Sequence, residues 1–171
     1  MVVLGIDPGA RRTGYAVVEA LGGTVLIRDS GALSTSPRSP FPERLKSIYR
    51  GLSEVVARFR PDEIAVEDVF VKNNVRVALM MGHIRGIALL VAALHDLPVG
   101  EYSPGEIKQA IVGSGSASKE QVKFMVTALL KLADTPSEDE ADAVAVALCH
   151  VHKRRLKEDS PLDILRKRYS C

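Results

Sequence analysis

The chain has 171 residues, 46% of them hydrophobic and 26% charged, which describes one globular domain with room for a proper core. A net charge of +2 does not announce a nucleic-acid binder, and two cysteines without scaffold or metal-ligand spacing exclude a disulfide framework and fit a reducing cytoplasm. Charge is nevertheless uneven: from Lys153 onward seven Lys or Arg stand against three Asp or Glu, so this end carries +4 and the remainder −2. No basic segment with an apolar signal core opens the sequence and no apolar run is expected to reach membrane-spanning length, so a cytoplasmic protein without a membrane partner is expected.

Val2 to Asp7 alternates as a strand, Pro8-Gly9 is turn chemistry, and Thr13 to Ala20 has the β-branched and aromatic content of a returning strand. Gly22-Gly23 joins it to a third strand, Thr24 to Ser34. A Ser/Pro segment from Ser36 to Pro42 leads into a helix through about Phe59, with Leu45, Ile48, Tyr49, Leu52, Val55 and Val56 at helical spacing, and Pro61 ends it. Ile64 to Glu67 reads as a short buried strand, Asn73 to Asp96 as a long helix, and Pro98 to Tyr102 as a further strand. Three more helices follow, each opened by a capping-box pair: Ser103 with Glu106, Ser118 with Gln121, and Ser137 with Glu140. The order β-β-β-α-β-α-β-α-α-α predicts an α/β fold, a mixed sheet with helices on its faces. The long helix carries more apolar residues than one stripe holds, which implies burial on two sides, against its own sheet and against a symmetry mate. Gly82 and Gly86 would allow close approach there.

Asp7 and Glu67 each end a strand, and ligands of open α/β sheets gather at the carboxyl ends of strands. Asp7 serves either as a turn acceptor or as a ligand aimed beyond the strand. A third acidic element, "SEDEADAVAVAL", places Glu138, Asp139, Glu140 and Asp142 in the first turns of a helix, where acids complement the helix dipole without any metal. From Ala141 to Leu148, however, that helix is small and apolar almost all round, so Asp142 belongs to a buried stretch where an ionised carboxylate needs a partner. Asp139 by i,i+3 spacing and Glu138 by i,i+4 spacing are equally good neighbours for it. If these acids converge, their repulsion is about 1 to 4 kcal/mol per pair at 4 Å. A divalent cation reverses that sign, and hard oxygen ligands favour Mg²⁺ or Mn²⁺ over zinc. Two such ions could assist phosphodiester cleavage.

The motifs "GIDPGARRTGYAVV", "AVEDVFVKNN", "GHIRGIALL", "EIKQAIVGSGSASKEQV", "VKFMVTALLKL" and "EADAVAVALCH" stand in an order that resembles the RuvC family of Holliday-junction resolvases, over about residues 2 to 152. The resemblance implies an RNase H-like fold with a five-stranded sheet over residues 1–155, followed by a basic C-terminal tail at 156–171. It implies a homodimer, and a metal-dependent endonuclease of recombination and repair that makes paired symmetric nicks across a four-way DNA junction. A branch-migration complex of the RuvA-RuvB kind is a further expected partner. The family's catalytic and metal-binding tetrad falls on Asp7, Glu67, Asp139 and Asp142, which would hold two Mg²⁺ or Mn²⁺ ions per active site, and its D-x-x-D spacing selects Asp139 over Glu138.

Lys108 and Lys119 match basic positions near the family's active site, and Lys119 opens a helix, where phosphate binds well. Phe70 matches a position expected to stack on an unpaired base, with Lys72 and Arg76 on the backbone nearby. Arg11 and Arg12 follow the first turn, where they either contact DNA or, as exposed turn arginines more often do, meet only water. "GSGSASKE" is not a nucleotide P-loop, because Ser118 replaces its second glycine and Glu120 its Ser/Thr. His83, His95, His150 and His152 read as ordinary core or surface histidines. An actin-like phosphotransferase also opens on Asp-x-Gly in a hairpin but needs two domains. Another RNase H-like nuclease, or a junction-binding protein without cleavage, are the remaining rivals.

Overall fold

The structure, a computed structural model, describes residues 1–9, 11–69, 75–132 and 134–158. Strands β1 (Val2–Asp7), β2 (Arg12–Leu21) and β3 (Thr24–Ser34) form an antiparallel meander. β1 also pairs in parallel with β4 (Glu63–Glu67), and β4 with β5 (Val99–Tyr102), giving the order β3-β2-β1-β4-β5. This is the mixed five-stranded sheet expected. Gly22 and Gly23 both have positive φ, 50° and 94°, the backbone that a tight hairpin with right-handed strand twist requires.

Alternation along the strands divides the core into two layers. Leu4, Ile6, Ile64 and Val66 face α1 (Phe41–Phe59) and α2 (Val75–Leu94). Val3, Ala16, Val18 and Ala65 face α3 (Pro104–Val112), α4 (Lys119–Leu129) and α5 (Glu138–Glu158). The capping boxes at Ser103, Ser118 and Ser137 all form. Pro42 lies inside the first turn of α1 rather than ahead of the helix, since an N–H there has no intrahelical acceptor to lose. Arg60, in the left-handed conformation, closes α1 with its N–H on the Val56 carbonyl, one residue before Pro61.

α2 corrects one expectation from the sequence. Its 20 residues are long and apolar enough to cross a membrane by length and composition, where no such run was expected. Ile84, Ala88, Val91 and Ala92 are buried in the core, while Val75, Leu79, Leu90 and Leu94 are exposed. Asn73 and Asn74, at the expected start of this helix, lie outside the described residues.

α5 is the central helix of the opposite layer. Ala141 and every residue from Ala143 to Val151 are buried. It approaches the sheet so closely that a Cβ on Gly5 would lie 2.4 Å from the Ala143 carbonyl oxygen, and one on Gly14 2.2 Å from that of Asp139. Two side-chain-free positions on neighbouring strands thus bring the helix backbone down onto the sheet, with its N-terminal turns above the carboxyl end of β1. α5 continues to Glu158, past the expected boundary between 155 and 156; residues 159–171 of the basic tail lie outside the described residues.

Candidate active site

The first site residue is fixed by the opening hairpin. Asp7 is the last residue of β1, paired with Gly14, and lies on the same face as Val3 and Gly5, the face covered by α5. After it the chain turns sharply: a Cβ on Gly9 would lie only 1.9 Å from the Arg12 carbonyl oxygen, and the buried Thr13 hydroxyl donates to the Gly9 carbonyl at 3.4 Å. The turn carries the backbone away and leaves the Asp7 carboxylate facing an open space. Glu67 arrives from the neighbouring parallel strand. Gly5 lies opposite Ala65 and Ile6 opposite Val66, so Asp7 and Glu67 follow side by side on one face at the carboxyl ends of their two strands.

α5 supplies the other two acids. Asp7, Glu67, Asp139 and Asp142 all line one cavity of about 380 Å³, together with Arg12, Lys108 and Lys119. Glu138, the alternative to Asp139 by spacing, is exposed and lines not this cavity but an adjoining cleft that shares Lys119 and Asp142 with it. Glu140 is occupied by its capping box and by the Ser30 hydroxyl, which donates to it at 3.2 Å.

Burial and like charge dominate the electrostatics. Burial, followed by the Asp7 charge and the hydrogen bond to Asp7, pushes Glu67 up to about 8. Asp7 is also raised by burial, against the lowering effect of the hydrogen bond it accepts from Glu67. Both carboxyls of the pair thus hold a proton more readily than isolated carboxylates do. The two helix acids are balanced differently, each by a cation from another element. Lys119 Nζ donates to Asp142 Oδ2 at 2.9 Å, which raises the lysine, and Arg12 NH1 lies 3.3 Å from Asp139 Oδ2.

The donor set fits a hard divalent cation: five carboxylates, the fifth being Asp68, which is paired with Arg85, and no His or Cys line the cavity wall. Among the described residues no three acids already surround a common point as a ligand cage. Asp139 and Asp142 are each paired through one carboxylate oxygen, with Arg12 and Lys119 respectively.

The other sequence-derived residues separate. Lys108, on α3, is half-buried in the cavity wall, and Lys119 is exposed at its rim. Arg76 is exposed on the first turn of α2 and outside the cavity wall. Phe70 and Lys72 lie outside the described residues. Sequence reading left Arg85 without a role, yet it pairs with Asp68 at 3.3 Å and with Glu101, joining α2 to the end of β4 and to β5. An arginine in so apolar a helix needs acidic partners, and that was the available signal.

The family model described as crossover junction endodeoxyribonuclease RuvC matches residues 3–150. The chain belongs to the RuvC family. A RuvC relative from Pelobacter propionicus is 50% identical over 160 residues, covering 94% of this chain and 91% of its own. One from Aeromonas hydrophila is 50% identical over 155 residues, covering 91% and 89%. Among solved structures, Thermus thermophilus RuvC in complex with a Holliday junction substrate superposes with a TM-score of 0.87 at 38% identity, covering 92% of this chain and 96% of that one. The yeast mitochondrial Holliday junction resolvase Ydc2, at 16% identity and a TM-score of 0.66, shares the fold. The RNase H-like architecture is thereby shown, and the chain is a crossover junction endodeoxyribonuclease, an enzyme of DNA recombination and repair. RuvC nucleases as a family depend on divalent metal and act on DNA.

Proposed function

We propose that this chain resolves four-way DNA junctions by paired symmetric nicks and that Asp7, Glu67, Asp139 and Asp142 form its catalytic, metal-binding tetrad. The observation that carries this reading is the meeting of four carboxylates from three separate elements in one cavity, two at the ends of adjacent parallel strands and two on the helix above them. Such clustering costs electrostatic energy in the absence of cations: after burial, the neighbouring Asp7 charge is the next cause that raises Glu67. A divalent ion, Mg²⁺ or Mn²⁺ and two per site, would supply charge neutralisation, activation of water and stabilisation of the leaving oxygen.

The chain's own groups do the positioning. Asp7 and Glu67 are fixed by the sheet, whereas Asp139 and Asp142 are fixed by a helix held close through Gly5 and Gly14. Lys108 and Lys119 lie where a backbone phosphate would enter. In the reaction a water oxygen bonds to phosphorus as one ester P–O bond breaks, and a proton passes to the departing oxygen. Phe70, Lys72 and Arg76 are assigned to the junction DNA around this centre. The nuclease domain spans residues 1–155, with 156–171 as its basic tail.

Resolution requires two centres, one for each strand cut, and α2 is the surface we assign to the homodimer. Val75, Leu79, Leu90 and Leu94 are exposed along one side of it, and Gly82 and Gly86 on the same stripe have open space where a Cβ would point. We place the enzyme in the cytoplasm, with the RuvA-RuvB branch-migration complex as a further partner.

The test incubates the protein with a mobile four-way junction, a matched linear duplex and an RNA–DNA hybrid, each with Mg²⁺, Mn²⁺ or EDTA, and maps nicks on every strand. Symmetric nicks confined to the junction and abolished by EDTA are expected. Junction binding without nicks would leave a binding module, and cleavage of the hybrid would move the assignment within the superfamily.

A further inference from the structure

Arg12 is anchored and free at once. Its backbone is the first of β2, opposite Ser34, and its carbonyl is packed against Gly9. Its side chain is 61% exposed, yet it reaches into the cavity to Asp139, 3.3 Å away. An ion pair with so exposed a guanidinium contributes little to stability, so the fold does not depend on it. The pair does place a monovalent charge on a carboxylate assigned above to a divalent ion. A doubly charged ion outcompetes a single charge for the same oxygen, and the displaced guanidinium stays tethered to a rigid strand beside the cavity. What must enter that cavity next is a phosphodiester, whose oxygens a guanidinium recognises in a bidentate fork.

We propose that Arg12 is a displaceable counter-ion of Asp139, handed over to a backbone phosphate of the junction once a divalent cation occupies that carboxylate. Arg12 then contributes to DNA binding in the loaded enzyme but is masked in the metal-free one. Lys119 on Asp142 is a second cation on a second acid, which gives the test its internal control. The inference rests on the tetrad reading above, but it is tested on binding without metal.

Junction affinity is measured in EDTA for the unsubstituted protein, Arg12→Met, Asp139→Asn, Asp142→Asn and the doubles that combine Arg12→Met with each acid change. Asp139→Asn releases Arg12 and is expected to tighten binding by on the order of threefold to tenfold. Arg12→Met alone changes affinity little, because the side chain is already engaged. In the Arg12→Met background the gain from Asp139→Asn disappears, while the gain from Asp142→Asn survives. The salt dependence of binding by Asp139→Asn also loses about 0.9 of a unit of slope when Arg12 is removed, as for one phosphate contact. An equal gain from Asp139→Asn with and without Arg12 would show only a general charge effect and overturn the proposal. Failure of the unsubstituted protein to bind the junction at all would instead overturn the assigned function.

Discussion

Gly14 lies directly beneath the backbone of Asp139: a Cβ on the glycine would stand 2.2 Å from the Asp139 carbonyl oxygen and 3.0 Å from its carbon. The clash is with backbone, so no rotamer change relieves it. Gly14→Ala must lift the first turns of α5 and carry Asp139 and Asp142 with them. Overpacking of this kind costs about 1 to 3 kcal/mol. Junction cleavage should fall by more than the lost folded fraction explains, because the acids are displaced from Asp7 and Glu67. Urea unfolding together with nicking rates at a temperature where the variant is fully folded would separate the two effects.

Asp7→Asn removes a ligand charge at the centre of the cavity while leaving Lys108, Lys119 and the exposed basic residues in place. Cleavage is expected to fall by about a thousandfold or more, with junction affinity in EDTA retained or slightly increased. A gel-shift titration beside a nicking assay checks this. Parallel loss of both activities would mean that Asp7 organises the DNA face and not the chemistry alone.

Asp7 shows what the sequence made legible. Because strand side chains alternate, the residues of β1 put Val3, Gly5 and Asp7 on one face and those of β4 put Ala65 and Glu67 on one face, and the structure has them so. The capping boxes located three helix starts, because a cap is a local chemical signal. What depended on the side of a helix that meets the sheet was not readable from residue spacing. Glu138 and Asp139 were equivalent neighbours of Asp142 until the packing of α5 turned one outward and the other into the cavity. Long-range partners were equally hidden. His150, read as an ordinary histidine, is buried between the Tyr102 hydroxyl at 2.9 Å and Glu63 at 2.8 Å, two residues separated from it by 48 and 87 positions.

Glu67 predicts a pH dependence of the metal-free protein. Its ordinary value is 4.5 and its folded value about 8, so between them the folded chain holds a proton that the unfolded chain has released. Stability from this group is complete below about 4.5 and is lost as pH rises towards about 8. In EDTA, the urea midpoint should therefore be higher near about pH 5 than near about pH 8, and Glu67→Gln should shrink the difference. Divalent-ion affinity should climb over the same range, since the ion must displace that proton. An unchanged pH slope in Glu67→Gln would assign it to other groups.

The exposed side of α2 provides the last prediction. Leu79 is 61% exposed and Leu90 46%, and eleven residues of helix bring them to nearly the same side, with Gly82 and Gly86 between them. In a two-fold dimer each substitution appears twice, once on each copy, so a single aspartate introduces two desolvated charges into one apolar contact. Leu79→Asp or Leu90→Asp should raise the dimer dissociation constant by about a hundredfold, equivalent to roughly 2.7 kcal/mol. Light scattering at micromolar concentration would then report a monomer for the variants and a dimer for the parent. Phe124→Asp is the control: Phe124 is 71% exposed on α4, in the opposite layer, and its replacement should leave the dimer intact. If the phenylalanine change dissociates the dimer and the leucine changes do not, the interface lies on the other side of the sheet. If α2 is the interface, the monomeric variants should retain a folded cavity and nick single strands, but lose the simultaneous symmetric cuts that need two centres on one junction.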